Sequence, residues 1–150
     1  MKVSVIGGGT MGNGIAHVFA QNGHDVTLID LDQKALDRAI GTIDKNLGRL
    51  VNKEKISEQE KDATMARLQT ATDLAAAADS ALVVEAVFES YEVKKSIFEK
   101  LDEVCGPDAI LASNTSSISI TKIAACTKRP GNVIGMHFMN PVPIMKLVEV

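Results

Sequence analysis

The sequence predicts an α/β domain on a doubly wound, mostly parallel sheet, and three observations carry that prediction. A short β-branched strand, a glycine turn, a helix and a second strand follow one another between Lys2 and Asp30. Parallel strands joined by so short a crossover make a right-handed βαβ unit. Several later strands are continuous apolar runs, as strands covered on both faces must be. Aromatic residues make up only 3% and Trp is absent, so Ala, Val, Ile and Leu have to fill the space between helices and sheet.

The 150 residues are 45% hydrophobic and 23% charged, with a net charge of -3, which suits one domain with a buried core. Disorder would need fewer apolar residues, and a spanning helix would need about 18 consecutive ones, a run found nowhere. With no basic stripe, neither nucleic acid nor an anionic membrane surface is an expected partner. Cys105 and Cys126 have no CxxC or His/Cys ligand spacing, so both are expected to be reduced and structural, with no metal. The first apolar run, from Val3, meets glycine at once and does not fit a secretory signal, which makes the cytoplasm the expected location.

In chain order, Lys2 to Ile6 reads as a strand, Met11 to Gln21 as a helix ending at Asn22-Gly23, and Asp25 to Ile29 as a second strand. From Gln33 to Val51, Leu36, Ile40, Ile43, Leu47 and Leu50 form one stripe of a long helix. Ser57 and Glu60 then have capping-box spacing ahead of Met65 and Leu68, which predicts a second helix. These two form a helical-hairpin excursion between strands. Ala81 to Ala86 is an apolar strand interrupted only by Glu85, and Val93, Ile97, Phe98, Leu101 and Val104 stripe the next helix. Ile110 to Ala112 is a buried strand that runs into Ser113-Asn114-Thr115-Ser116-Ser117. A short helix over Ile120 to Ala125, a strand over Val133 to Phe138 and a last strand over Leu147 to Val150 complete the chain. Ending inside an apolar strand suggests the front part of a longer protein.

Gly7, Gly9 and Gly12 form G-x-G-x-x-G directly after a strand and at the opening of a helix, with Asp30 closing the next strand. In that setting Gly7 permits the tight turn, Gly9 lets backbone approach a pyrophosphate, and Gly12 lets the helix pack on the strand. The helix N-terminus favours the phosphate charge. Asp30 would accept hydrogen bonds from the adenosine ribose and repel a 2'-phosphate, which points to NAD rather than NADP. Taken alone, Asp30 also fits a helix cap.

Among the three histidines, His17 and His24 fall within or just past the first helix and read as surface or packing residues. His137 instead lies in a strand beside a Pro-containing turn. If that strand and the last one fold back antiparallel about Pro143, His137 and Glu149 are equidistant from the turn and face each other. A carboxylate against an imidazole makes an acid/base pair near neutral pH. On spacing alone, a buried histidine satisfied by backbone accounts for His137 better than an acid/base role does.

The stretches VIGGGTMGNGIAHVFA, LVVEAVFES, ASNTSSISIT and GMHFMNPVPIMKLVEV together resemble the 3-hydroxyacyl-CoA dehydrogenases, the bacterial 3-hydroxybutyryl-CoA enzymes in particular. The resemblance implies a Rossmann-type domain with an antiparallel strand pair at its C-terminal end. It also implies a helical second domain, absent from this chain, that helps form the active site and a homodimer. Position by position, it makes His137 the catalytic base and Glu149 its paired acid. Ser116 becomes the hydrogen-bond donor to the reacting oxygen, and Asn140 an active-site residue near the thioester. Without the resemblance, Ser116 would read as a helix cap and Asn140 as a turn former.

Implied cofactor contacts are Thr10, Met11, Asp30, Ala86, Glu89, Lys94 and Asn114, together with the glycines. Glu89 and Lys94 read alone would be a solvated pair. Asn46 and Lys53, with Lys55 nearby, match positions that contact CoA, although relatives often carry Ser where Asn46 stands. The implied substrate is an acyl-CoA, 3-hydroxybutyryl-CoA or acetoacetyl-CoA. A cofactor-binding module without catalysis and a hydroxy-acid dehydrogenase of another family are the alternatives.

Overall fold

The computed structural model describes Met1–Val150. Strand β1 (Lys2–Ile6) leads through the glycine turn into helix α1 (Thr10–Gln21) and strand β2 (Asp25–Ile29), as the pattern predicts. Helix α2 (Gln33–Asn52) and helix α3 (Glu58–Ala66) make the hairpin excursion. The Ser57 side chain accepts from the Glu60 amide at 3.1 Å while Glu60 returns a bond to the Ser57 amide at 2.6 Å, completing the capping box. Strand β3 (Leu68–Ala71) comes next, followed by a single 3-10 turn at Leu74–Ala77. Strand β4 (Leu82–Glu85), helix α4 (Tyr91–Val104), strand β5 (Ile110–Ser113), helix α5 (Ile120–Ala124) and strand β6 (Val133–Gly135) finish the main body. Two short strands, β7 (His137–Phe138) and β8 (Val148–Glu149), form a separate ribbon.

The main sheet has the order β3-β2-β1-β4-β5-β6, and every pairing in it is parallel. That is the doubly wound order in which the crossover direction reverses between β1 and β4, leaving a crevice at the carboxyl ends of the strands. Two apolar clusters cover the two faces. One joins α1 and α2 to the sheet through Ile15, Ala16, Leu36, Ile43 and Leu47, and the other joins α4 and α5 through Phe98, Leu101 and Ile123. No helix is long and apolar enough to cross a membrane.

Three elements differ from the sequence expectation. Strand β3 was not foreseen, because Leu-Gln-Thr-Ala is half polar and Leu68 continues the apolar pattern of α3; it is an edge strand with an exposed middle. The expected strand over Val133 to Phe138 is divided at Met136, whose amide donates to the Ser113 carbonyl at 2.9 Å while the chain leaves the main sheet. His137 therefore belongs to the ribbon rather than to the parallel sheet. The last strand contains only Val148 and Glu149. His17 is fully buried: its Nε2 meets Gln21 Oε1 at 3.0 Å, and its Nδ1 has no partner. Burial holds its pKa below the ordinary histidine value.

Candidate active site at the strand ends

Each glycine of the turn meets a different constraint. Gly7 has φ +109, and a Cβ there would lie 2.8 Å from the Ala86 carbonyl oxygen. A Cβ on Gly12 would lie 1.7 Å from the Gly7 carbonyl oxygen, so only glycine lets α1 start so close to β1. Around a Cβ on Gly9, by contrast, no protein atom lies within 4 Å. Gly9 is the N-cap of α1 and makes no side-chain cap bond, so the exposed start of the helix faces open space. Thr10 is exposed there and Met11 half-buried.

Asp30 ties this turn to the end of β2. One carboxylate oxygen accepts from the Gly8 amide at 2.7 Å and the other from the Asp32 amide at 2.9 Å. Each oxygen keeps a lone pair for a further donor. Beside it opens a cleft of about 790 Å³ lined in part by Gly7, Gly9, Asp30, Leu31, Ala86 and Phe88. It sits at the switch between β1 and β4, where an open parallel sheet binds its ligand.

Across that switch, at the ends of β4 and β5, lies a buried ionic network. Glu85 is wholly buried, and its carboxylate accepts from Ser113 Oγ at 2.6 Å, the Val87 amide at 2.7 Å and Lys94 Nζ at 2.6 Å. Lys94 is itself 1% exposed, and its ammonium also reaches the Val87 carbonyl at 3.3 Å and Glu89 Oε1 at 3.2 Å. Its three protons thus have three acceptors within the protein, and Lys94 holds Glu89 in place. Read alone, Glu89 and Lys94 would be a solvated pair; in the structure only Glu89 keeps solvent contact, and the Lys94 ammonium is buried. Lys94, on α4, is buried where it reaches Glu85 at the end of β4.

Glu89 Oε2 accepts from Thr115 Oγ1 at 2.7 Å and from Ser117 Oγ at 3.0 Å. Burial raises the Glu89 pKa, but those two hydroxyls and the Lys94 ammonium outweigh it, and the carboxyl titrates below its ordinary value. Ser116 lies between the two hydroxyl donors and is exposed. It does not cap α5, whose N-cap is Ser119.

The ribbon brings His137 and Glu149 into register, with His137 Nδ1 3.0 Å from Glu149 Oε2. Donation from Nδ1 to the carboxylate leaves Nε2 as the basic nitrogen, and Nε2 has no protein partner. The ribbon is fixed to the sheet by Asn114, whose Oδ1 accepts from the Phe138 amide at 2.8 Å. It is also fixed to α1, since a Cβ on Gly14 would come within 2.8 Å of Val142 Cβ. Asn140 is exposed on the connecting turn. Asn46, on α2, and Lys53, at its C-cap, stand apart: Asn46 accepts from Arg49 at 3.3 Å, and Lys53 is exposed with no ion pair. Glu85, Thr115, Ser117 and Gly14 were not singled out as site residues from the sequence. The signal for Glu85 was the lone acid in an otherwise apolar strand.

A family model described as 3-hydroxyacyl-CoA dehydrogenase, NAD binding domain, matches residues 2–150. The chain belongs to that family. A 3-hydroxybutyryl-CoA dehydrogenase of Clostridioides difficile is 51% identical over 100% of this chain and 53% of its own length. A 3-hydroxyadipyl-CoA dehydrogenase of Escherichia coli is also 51% identical, over 99% of this chain and 31% of its own length. The crystal structure of the (S)-3-hydroxybutyryl-CoA dehydrogenase of Ralstonia eutropha superposes with a TM-score of 0.95 at 44% identity, covering 98% of this chain and 52% of that one. The chain spans about half the length of the 3-hydroxybutyryl-CoA dehydrogenases it matches. As an NAD-binding domain it fits its cofactor: the space at Gly9 takes a pyrophosphate, the start of α1 faces it, and Asp30 retains lone pairs for ribose hydroxyls.

Proposed function

We propose that this chain is the cofactor and acid/base half of an NAD-dependent dehydrogenase that interconverts a 3-hydroxyacyl-CoA and the matching 3-oxoacyl-CoA. The expected pair is 3-hydroxybutyryl-CoA and acetoacetyl-CoA. The observation that carries this reading is the His137–Glu149 pair at 3.0 Å, fixed by Asn114 to the loop that presents Ser116. NAD, when bound, supplies the hydride acceptor. His137 Nε2 takes the proton from the C3 hydroxyl and returns it in the reverse direction. Glu149 holds the Nδ1 proton and stabilises the imidazolium. Ser116 donates to the oxygen as it becomes a carbonyl, and Asn140 lines the thioester side.

Cofactor contacts fall to Gly7, Gly9, Thr10, Met11, Gly12, Asp30, Ala86, Glu89 and Asn114, while Asn46 and Lys53 face the CoA. A second, mostly helical domain completes the substrate side and joins two copies into a homodimer in the cytoplasm. Two facts support it: the matched relatives are about twice as long, and Ile144, Met145 and Leu147 expose apolar side chains beside the ribbon.

The test uses the chain joined to that second domain. His137→Ala should lower turnover about 100-fold or more, with NADH affinity unchanged within about threefold. Lost NADH affinity with normal turnover of bound substrate would contradict the assignment.

A further inference from the structure

The buried network at the ends of β4 and β5 is not electrically neutral. Glu85 and Glu89 supply two carboxylates and Lys94 one ammonium, so the group carries one surplus negative charge. Glu85 is wholly buried and Lys94 is 1% exposed while Glu89 is 41% exposed, so water screens the Glu85 end of the group less than it would a surface ion and the Glu89 end more fully. No other cation pairs with any of the three: Glu89 is otherwise held by neutral hydroxyls, and Glu85 by Ser113 and the Val87 amide.

The placement of the charge matters. Glu85 pairs in register with Ile6 of β1 on one side and with Ser113 of β5 on the other, directly beneath the crevice where the crossover reverses. Asp30 marks the other side of that crevice, at the end of β2. On the proposed reaction, the hydride leaves C3 and the proton leaves the oxygen on that same carbon, so the nicotinamide must lie close to His137. His137 is tied through Phe138 to Asn114, immediately after β5 and next to Thr115. The ring therefore belongs on the side of the surplus charge.

The oxidised ring carries a positive charge and the reduced ring is neutral. Resting on the dehydrogenase reading, we propose that the Glu85–Lys94–Glu89 group is a specificity element that favours oxidised over reduced nicotinamide through its surplus negative charge. Glu85, sealed from solvent, acts on the ring only through this field and is a positioning and electrostatic residue rather than a catalytic one.

The test is a pair of affinities measured on the 150-residue chain. NADH is titrated by its fluorescence, and NAD+ by displacement of bound NADH. Glu85→Gln and Glu89→Gln each remove one negative charge. Each should weaken NAD+ relative to NADH, shifting the ratio of dissociation constants by about threefold or more. A merely structural role, or a hydrogen bond from Glu89 to a ribose, would weaken both forms in proportion, and an unchanged ratio in Glu89→Gln overturns the proposal. Glu89 is 41% exposed, so its variant carries the test if Glu85→Gln does not fold. Failure of the parent chain to bind either form, with its circular dichroism intact, would instead refute the underlying cofactor reading.

Discussion

Gly9 and Gly12 belong to one turn but answer to different partners. A methyl group on Gly12 collides with the Gly7 carbonyl, whereas a methyl group on Gly9 meets no protein atom. Gly12→Ala should therefore destabilise the chain by about 2 kcal/mol or more in chemical denaturation. Gly9→Ala should keep stability within about 1 kcal/mol of the parent while lowering NADH affinity at least tenfold, because the methyl stands where the phosphates approach. Equal stability losses in both variants would show that Gly9 is a packing residue. At this scale the sequence was legible wherever a residue type has few uses. The glycines and Asp30 could be read because their spacing has a mechanism, and His137 and Glu149 because an antiparallel turn makes them partners. The burial of Lys94 is not legible locally, because it depends on Lys94 reaching from α4 to Glu85 of β4, and no local pattern records that.

Among the elements, the end of α4 is clamped to the β5–β6 crossover by Arg129. Arg129 donates from Nε to Asp102 Oδ1 at 2.7 Å and from one terminal nitrogen to the carbonyls of Asp102 at 3.0 Å and Cys105 at 3.2 Å. It also bonds the Gly106 carbonyl. It thus satisfies carbonyls that the end of α4 leaves unpaired. Asp102 is desolvated, which raises its pKa, yet the Lys128 amide and Arg129 more than offset this and hold it below the ordinary value. Both side chains are about nine-tenths buried, so Arg129→Met should cost about 3 kcal/mol in thermal or chemical unfolding. A loss below about 1 kcal/mol would show that the clamp is dispensable. Long periodic elements such as α2 and strongly apolar strands such as β4 could be read directly from the sequence. Strand β3 could not, because an edge strand with polar side chains lacks the apolar signal. The break at Met136 was also hidden, since Val133 to Phe138 is one apolar run whose division is decided by the Ser113 carbonyl across the sheet.

At the scale of the whole molecule, the sheet order gathers distant segments at one edge. The turn after β1, the acid after β2, the network after β4 and the serine loop after β5 all lie at carboxyl ends of parallel strands. The ribbon, fixed by Asn114 and seated against Gly14, then brings the His137–Glu149 pair to the same edge. On this account the chain holds the cofactor by itself, while turnover needs the second domain to close the substrate side. The most direct measurement titrates the 150-residue chain with NADH and NADPH by fluorescence, adding acetoacetyl-CoA while absorbance reports oxidation of the reduced cofactor. The account predicts saturable NADH binding, NADPH binding at least about tenfold weaker because Asp30 opposes a 2'-phosphate, and little or no oxidation. A folded chain that binds neither nucleotide, or one that oxidises NADH rapidly on its own, would contradict it.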